Sequence, residues 1–371
     1  MKYKIKYIDL YSQFSLLKKE IYTEINKIFK SSSFILREHV SKFEKKICQI
    51  LKVKYCVGLN SGTDALLMAL TQLKLKKGDE VITPSHTYVA SVSAIVHVGA
   101  VPIFADIADD FNIDPNQIEK KISKKTKAIL VVHLNGRCCD MKKILQIAKK
   151  HKLKIIEDAA QCFGAKYNNK YTGTFGLAGA FSLHPMKILN VPGDGGFLTT
   201  NSKKIYNNVM LLRDHGRIKT ENKEIRKCYG FNSRLDNIHA AIALIKLKKF
   251  FKWVNLRRDL AKNYSKKLEG LKFVKLPVYN KNNFFDTYNS YVLKVKKRDQ
   301  LKKFLKKKGI EVFSHLEKGV HLEKNLIKKK NHLPNTEKIG REVISLPIYP
   351  ELTQKNQNYI IKQIYNFYER Q

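Results

Sequence analysis

The stretch Ala128–Ala159, "AILVVHLNGRCCDMKKILQIAKKHKLKIIEDA", decides the fold class. It opens with the apolar run "AILVVHL" and closes with "LKIIEDA", each of strand length. Between them, "DMKKILQIAKKHK" has apolar residues at helical spacing with lysines on the other face. Nearly all-apolar strands joined by a helix are typical of parallel strands that helices cover on both faces. The stretch therefore predicts an α/β fold.

The same alternation continues on both sides of this stretch. Strands are predicted at "YCVGLN", "EVITPS" and "VPIFADI" before it and at "AGAFSLH" and "GGFLTT" after it. Helices are predicted at "SGTDALLMALTQL" and "TYVASVSAIVHVG". A helical segment from Leu16 to Leu51 comes first, and a long helix or helix pair runs from Asn237 to Leu268. The pattern predicts a large, mostly parallel-sheet domain over residues 1–250, including the N-terminal helical segment.

The chain changes character after residue 250. A strand, "YNSYVLKVK", is followed by a helix, "RDQLKKFLKKKG", and a second strand, "IEVFSHL". A closing helix is predicted at "NQNYIIKQIYNFYER". We expect residues 251–371 to form a smaller C-terminal α+β domain.

Composition excludes several classes of protein. The formal charge of +39 invites nucleic acid as a partner, but the lysines are spread along the whole chain, and no recognition helix, finger or RNP motif accompanies them. A positive field that favours anionic small substrates accounts for the charge instead. The apolar runs are too short for a membrane span and the start lacks a signal peptide, so we expect a cytoplasmic chain without a membrane partner. The six cysteines have no CxxC or metal spacing, which indicates reduced thiols and no metal site.

Ligands of open parallel sheets bind beyond the carboxyl ends of the strands, and the segment "NSGTDALLMAL" offers a phosphate site there. Its small-residue turn opens an apolar helix, so the backbone N–H groups of Gly62, Thr63 and Asp64 would point outward together. The hydroxyls of Ser61 and Thr63 could add to them. The alternative is an ordinary helix cap, a role that serine and threonine fill constantly.

Three more polar residues follow predicted strands. Asp158 ends "LKIIED", where a carboxylate could pair with a protonated ring nitrogen or merely cap a helix. Tyr88 begins a helix, where it could stack on a flat ring or merely pack. Lys187 lies between the strand end "FSL" and the turn "GDGG", where its charge is hard to solvate, although an exposed loop lysine is the alternative.

Together these residues indicate pyridoxal phosphate. That cofactor needs a phosphate cradle, a ring-stacking group, a carboxylate for the ring nitrogen and a lysine that forms a Schiff base with its aldehyde. Lys187 would need a depressed pKa, because only the neutral amine reacts. Asp158 would keep the pyridine protonated, so that the ring can act as an electron sink.

Four motifs in order and spacing carry a resemblance to a known family. They are "NSGTDALLMAL", "EDAAQ", "FSLHPMK" with "GDGG", and "GFNSRLDNIHAAI". With them the chain resembles the DegT/DnrJ/StrS family of sugar aminotransferases, from "YIDLYSQF" near its start to "SLPIYPELT" near its end. The resemblance implies the aspartate-aminotransferase-like, type I fold and a pyridoxal phosphate-dependent transaminase.

Carried over by position, the resemblance assigns roles around the cofactor ring. Lys187 would bear the Schiff base and shuttle the proton during catalysis. Asp158 would pair with the pyridine nitrogen, Gln161 would contact the ring hydroxyl, and Tyr88 would stack on the ring face.

The resemblance also implies a phosphate site shared between two subunits. Thr63, Asp64 through its backbone, and Ser182 would hold the phosphate. Asn232 of "GFNSR" would reach the phosphate of the neighbouring subunit, with Arg234 nearby. We therefore expect a homodimer with shared active sites.

The expected substrates are a nucleotide-linked keto sugar and L-glutamate as amino donor. The motif "NSRLD" and Gln161 resemble those of relatives that transfer the amino group to C3, which favours a dTDP-linked 3-keto-6-deoxyhexose as the acceptor. Alternatives are C4 of a UDP- or GDP-linked 4-keto sugar, an eight-carbon keto-acid sugar, a keto-cyclitol, or a pyridoxal phosphate-binding regulator. Relatives that carry histidine in place of Lys187 perform dehydration, and Lys187 argues against that reaction.

Two departures from the family pattern affect the expectations. The usual glycine of "FI.G..V" is Arg37 in "FILREHV". The C-terminal segment "HLEKGVH" keeps His315 and His321, the candidates for contact with the sugar, but lacks two usual prolines.

Overall fold

The computed structural model describes residues 3–219, 223–278, 283–327 and 331–369. The α-helices are α1 (Leu10–Lys30), α2 (Glu38–Leu51), α3 (Gly62–Thr71), α4 (Val89–His97), α5 (Pro115–Glu119), α6 (Met141–Lys150), α7 (Lys203–Leu212), α8 (Asn237–Leu247), α9 (Phe250–Leu268), α10 (Arg298–Lys307), α11 (Pro334–Glu342) and α12 (Gln354–Glu369). The strands are β1 (Tyr55–Leu59), β2 (Glu80–Pro84), β3 (Val101–Ala105), β4 (Thr126–Val132), β5 (Lys154–Asp158), β6 (Lys166–Tyr167), β7 (Lys170–Tyr171), β8 (Ala178–Ser182), β9 (Gly196–Thr200), β10 (Arg217–Lys219), β11 (Glu224–Arg226), β12 (Val274–Lys275), β13 (Phe284–Phe285), β14 (Tyr291–Val295) and β15 (Val343–Leu346).

Within these ranges, the largest sheet has seven strands in the order β1-β9-β8-β5-β4-β2-β3. The pairs β2–β3, β2–β4, β4–β5 and β5–β8 are parallel. Strand β9 runs antiparallel to both β8 and β1. The predicted mostly parallel α/β sheet is therefore confirmed, with one reversed strand that the sequence pattern did not reveal.

Helices cover both faces of this sheet. Leu130 of β4 packs in a buried cluster with Leu66 of α3 on one face. Its neighbours Ile129 and Val131 pack with Ile144 of α6 on the other face, because successive side chains of a strand point in opposite directions. Two covered faces explain why these strands are almost wholly apolar.

The C-terminal residues build a second core on a smaller antiparallel sheet of β12, β14 and β15. Tyr291 of β14, Leu301 of α10 and Ile364 of α12 are buried there. Helix α9 joins the two cores, since Val254 packs in the cluster that holds Phe181 and Phe197 of the large sheet's strands, whereas its far end packs in the second. The division near residue 250 remains a prediction and falls at the first residue of α9.

The predicted strand "IEVFSHL" is wrong as an element of its own. Ile310 makes a single parallel bridge with Ile5, and Phe313 makes a single antiparallel bridge with Ser345. Because the segment turns from one partner to another after each contact, no ladder develops. Ile5 is buried in the C-terminal core, so the start of the chain packs with its end.

The N-terminal helical segment is two helices. Leu17, Ile21 and Ile28 are buried on α1, whereas Leu16, the first residue of the predicted segment, is 67% exposed. Arg37 precedes α2 with φ −104° and ψ −166°, an extended backbone that any residue adopts, so no glycine is needed there. The positive φ, 49°, falls on Leu36 instead. Of the helices in the described residues, none is long and apolar enough to cross a membrane.

Candidate active site

A cavity of about 500 Å³ lies at the carboxyl edge of the large sheet, beyond β2, β4, β5 and β8. The predicted site residues that line it are Ser61, Gly62, Thr63, Tyr88, Asp158, Gln161, Ser182, Lys187 and His315. Four predicted residues do not line it: Asp64, Asn232, Arg234 and His321. Residues from five separate segments of the sequence thus meet where open parallel sheets bind their ligands.

Lys187 lies in the loop that joins β8 to β9. Its backbone N–H donates to the carbonyl of His184 (2.8 Å), and its carbonyl accepts from the side-chain amide of Asn190 (2.8 Å). Across the described residues, its ammonium group has neither a hydrogen-bond nor an ion-pair partner. Burial lowers the pKa of Lys187, and the nearby Asp158 carboxylate opposes that shift. The structure excludes the interpretation of Lys187 as an ordinary exposed loop lysine.

Asp158 is the last residue of β5, and both of its carboxylate oxygens are hydrogen-bonded. Oδ2 accepts from the hydroxyl of Ser91 (2.7 Å), and Oδ1 accepts from the backbone N–H of Ala160 (3.1 Å). Ser91 in turn lies 2.8 Å from the hydroxyl of Thr87. These bonds fix the carboxylate at the cavity wall. The sequence reading missed Ser91, and its only signal was a serine on the otherwise apolar start of α4.

The start of α3 differs in part from the predicted phosphate site. The N–H of Asp64 donates to the Ser61 hydroxyl (3.0 Å), so these two groups form the helix cap that was the alternative interpretation. The N–H groups of Gly62 and Thr63 have no acceptor within the described chain. A Cβ added to Gly62 would lie 2.8 Å from the Cβ of Ser182, so a glycine is required for this close approach.

The two residues expected to contact a cofactor ring, Tyr88 and Gln161, both line the cavity. Tyr88, just before α4, is 68% exposed, which excludes a tyrosine that is merely packed in the core. Gln161 accepts a hydrogen bond from the backbone N–H of Asn135 (2.9 Å) through Oε1. That bond orients the side chain and leaves its amide N–H₂ available to a ligand.

The two histidines of "HLEKGVH" have different surroundings. His315 lines the cavity beside Tyr7, and burial followed by the charge of Lys187 lowers its pKa. His321 is buried, with Nδ1 at 2.6 Å from the Ser85 hydroxyl and Nε2 at 3.5 Å from Oε1 of Glu337. It ties the 3₁₀ turn Val320–Leu322 to the end of β2 and does not reach the cavity, contrary to expectation.

Asn232 and Arg234 lie away from the cavity of their own chain. Asn232 makes an isolated antiparallel bridge with Asp214. The Arg234 guanidinium donates to Oδ1 of the same aspartate (3.1 Å), whose Oδ2 accepts from Arg217 (2.7 Å). These contacts hold the segment in place. That Asn232 contacts the phosphate bound by a neighbouring subunit remains a proposal.

A second buried lysine supports the loop that carries Lys187. Lys246 of α8 donates from Nζ to Oδ1 of Asn190 (2.5 Å), and Asn190 donates to the carbonyl of Lys187. Burial lowers the pKa of Lys246 to about 8, against the opposing charge of Glu351. Sequence periodicity missed this residue, since it falls within a run of apolar and lysine residues on a predicted helix.

The buried Lys246 should make stability depend on pH. Its pKa is about 8 in the folded chain and 10.5 ordinarily, so between these values the unfolded chain binds more protons, and stability rises with pH. We expect Lys246→Met to increase the free energy of unfolding by on the order of 3 kcal/mol more at pH 7 than near pH 10.5. Urea unfolding at the two pH values measures the difference.

Lys248→Met is the matched control, because that lysine lies two positions further on the same chain and its side chain is 69% exposed. Its effect should be the same at both pH values. An equally pH-independent effect of Lys246→Met would contradict a depressed pKa.

Comparisons with known proteins agree with this geometry. The chain is 38% identical over 366 residues to the "Pleiotropic regulatory protein" of Geobacillus stearothermophilus, covering 97% of this chain and 98% of the relative. It is 36% identical to the dTDP-3-amino-3,6-dideoxy-alpha-D-galactopyranose transaminase of Aneurinibacillus thermoaerophilus, over 97% and 98% of the two chains. The crystal structure of S. venezuelae DesV in complex with a ketimine intermediate superposes with a TM-score of 0.94 at 33% identity, covering 99% of both chains.

A family model also matches almost the whole chain. The model is described as the DegT/DnrJ/EryC1/StrS aminotransferase family, and the match extends over residues 15–365. These similarities agree with the site itself. The exposed Tyr88, the hydrogen-bonded carboxylate of Asp158 and the ammonium of Lys187, unpaired among the described residues, line one cavity. The chain therefore belongs to the DegT/DnrJ/EryC1/StrS aminotransferase family, the pyridoxal phosphate-dependent sugar aminotransferases.

Proposed function

We propose that this chain transfers an amino group from L-glutamate to C3 of a dTDP-linked 3-keto-6-deoxyhexose. One observation carries the catalytic part, namely the half-buried Lys187 on the wall of the cavity, whose ammonium has no partner among the described residues. The sugar part is supported by the relative named as a dTDP-3-amino-3,6-dideoxy-alpha-D-galactopyranose transaminase. The large positive charge of the chain, +39, also favours an anionic nucleotide sugar.

The residues of the cavity fit pyridoxal phosphate. The free N–H groups of Gly62 and Thr63, with the nearby Ser182, are suited to a phosphate at the start of α3. Asp158 supplies an anionic acceptor for a protonated ring nitrogen. A cofactor between these groups would meet the unpaired amine of Lys187.

Each residue has a separate task in the proposed mechanism. Bound pyridoxal phosphate supplies an electron sink for the carbon that loses its proton. Asp158, held by Ser91, would keep a proton on the ring nitrogen, and Tyr88 would cover one face of the ring. The Nζ of Lys187 takes the proton from the α-carbon of the amino donor and returns a proton to the sugar carbon. Its lowered pKa favours the neutral amine that this transfer requires.

A substrate screen tests the proposal. Purified protein with pyridoxal phosphate and L-glutamate is given dTDP-3-keto, UDP-4-keto and GDP-4-keto sugars, an eight-carbon keto-acid sugar and a keto-cyclitol, and 2-oxoglutarate release is measured. We expect the fastest release with the dTDP-3-keto sugar. Faster release with another class would replace the sugar assignment. Cofactor binding without release from any substrate would favour the regulator, the function that the name of the Geobacillus stearothermophilus relative describes.

We also propose that two copies share their active sites through Asn232. Mixing Lys187→Ala with Asn232→Ala subunits should give heterodimers with one site that has both residues intact and one that has neither. Amino transfer by the mixture should exceed that of either variant alone, as measured by 2-oxoglutarate release after refolding the two together.

Each variant refolded with itself serves as the control for this mixture. A wild-type protein that stays monomeric and fully active at assay dilution would contradict the shared site. So would a mixture no more active than its parts while heterodimers are demonstrably present.

A further inference from the structure

One part of the cavity wall is polar and carries neither a carboxylate nor an ammonium group. Tyr7, Asn289 and Ser290 are neighbours there, with His315 beside Tyr7. Tyr7 comes from the first residues of the chain, whereas the other three come from its last third. Tyr7 is the first residue of "YIDLYSQF", but its neighbours on this wall are more than 280 positions away, so the local sequence gave it no role.

The start of the chain is fixed so that Tyr7 reaches this wall. The N–H of Ile5 donates to the carbonyl of Gly309 (3.0 Å), and the N–H of Tyr7 donates to Oε2 of Glu311 (2.9 Å). The ring of Tyr7 meets the edge of Phe313 at 4.9 Å between centroids and that of His315 at 5.3 Å. A phenol held on three sides is pre-organised, so a contact to it costs little entropy.

The polar atoms of the wall are only partly satisfied. The Tyr7 hydroxyl donates to Oγ of Ser290 (3.3 Å) and is also hydrogen-bonded to the side chain of Ser345, so the phenol oxygen has room for one further donor. Oδ1 of Asn289 is buried and has no hydrogen-bond partner among the described residues, while its Nδ2 lies 3.5 Å from Oγ of Ser290. A buried acceptor without a donor is costly, and a bound molecule that offers hydroxyl groups would satisfy it.

The chemistry of the wall selects the kind of group that binds. Hydroxyl and amide groups suit the hydroxyls of a sugar ring, whereas a carboxylate or phosphate needs cations or several N–H donors. His315 adds no fixed charge, because burial and Lys187 lower its pKa. An uncharged wall in the same cavity as the amine of Lys187 is therefore suited to the sugar and not to the charged amino acid.

We propose that Tyr7, together with Asn289 and Ser290, forms the subsite that binds ring hydroxyls of the sugar acceptor. The proposal rests on the proposed function, which it deepens by naming the residues that discriminate the acceptor. Tyr7 is then a specificity-determining residue delivered by the start of the chain.

The two half-reactions of amino transfer separate this role from a structural one. Tyr7→Phe removes only the hydroxyl and keeps the ring that packs on Phe313 and His315. We expect the KM for the keto sugar to rise about tenfold, the effect of one lost hydrogen bond, while the single-turnover rate with L-glutamate stays unchanged. The Tyr7→Phe penalty should vanish with the sugar analogue that lacks the contacted hydroxyl.

Tyr11→Phe is the matched control, since that tyrosine lies four residues further on and is 71% exposed. It should alter neither half-reaction. Equal slowing of both half-reactions by Tyr7→Phe would assign Tyr7 to structure alone, and an unchanged sugar KM would also overturn the subsite.

A binding measurement keeps the subsite distinguishable from the proposed function. If wild-type protein aminates no keto sugar, calorimetry with a dTDP-linked 6-deoxyhexose compares wild type with Tyr7→Phe. About tenfold weaker binding by the variant would support the subsite although the amino-transfer proposal had failed. Equal binding, or binding by neither protein, would overturn the subsite.

Discussion

Replacing Lys187 by alanine is expected to lower kcat for amino transfer by about 10⁴-fold, because the variant loses the one lysine that lines the cavity among the described residues, and with it the proton transfer that this lysine performs. Folding should survive, since the ammonium makes no hydrogen bond or ion pair within the described residues. Single-turnover kinetics with L-glutamate, read as 2-oxoglutarate, measure the loss. Circular dichroism and the melting temperature check the fold.

The control for this experiment is Lys248→Ala, which removes an exposed lysine on a surface helix end and should leave kcat unchanged. Adding methylamine to the Lys187→Ala protein supplies a free base in solution and should restore part of the rate. Turnover by Lys187→Ala within about tenfold of wild type would remove Lys187 from the chemistry.

The second large effect is expected for Asp158→Asn, with a loss of about 10²–10³ in kcat. The amide has the same shape and its oxygen still accepts from Ser91, so the cofactor should remain bound. It carries no charge, however, and therefore no longer stabilises a proton on the ring nitrogen. Absorbance of the bound cofactor and single-turnover rates, measured on the same sample, separate binding from chemistry.

Ser91→Ala is the matched variant for this test. It leaves the charge of Asp158 and removes one of its two hydrogen bonds, so its effect on kcat should be clearly smaller than that of Asp158→Asn. If Asp158→Asn turns over within a few-fold of wild type, or loses no more than Ser91→Ala, the carboxylate has no electrostatic role.

The local sequence pattern was sufficient to predict the large sheet. Residues 128–132 of β4 are buried on both faces of the sheet, and in the sequence they form an uninterrupted apolar run. Parallel strands also place their carboxyl ends together, which is why Asp158, Lys187 and the start of α3 could be assigned to one site. A polar residue at the end of a parallel strand can therefore be placed at the carboxyl edge of the sheet from the sequence alone.

Non-local packing was not predictable in the same way. The direction of β9 depends on its pairing with β1 and β8, and a short apolar strand carries no mark of its direction. Tyr7 reaches the cavity through pairing with residues near 310, a contact that no local period encodes. The cap formed by Ser61 with Asp64 shows that a local signal can also be ambiguous. A serine before a helix is compatible with both a phosphate site and a helix cap, and the structure shows that Ser61 forms the cap.

Reduction of the purified holoenzyme with sodium borohydride, followed by peptide mass mapping, tests the central claim most directly. The chain has 60 lysines, so the position of the label is a stringent test of the site. The account predicts loss of the visible absorbance and a pyridoxyl phosphate group on the peptide that contains Lys187. A group attached to any other lysine, or no attached group on a protein that had bound the cofactor, would contradict it.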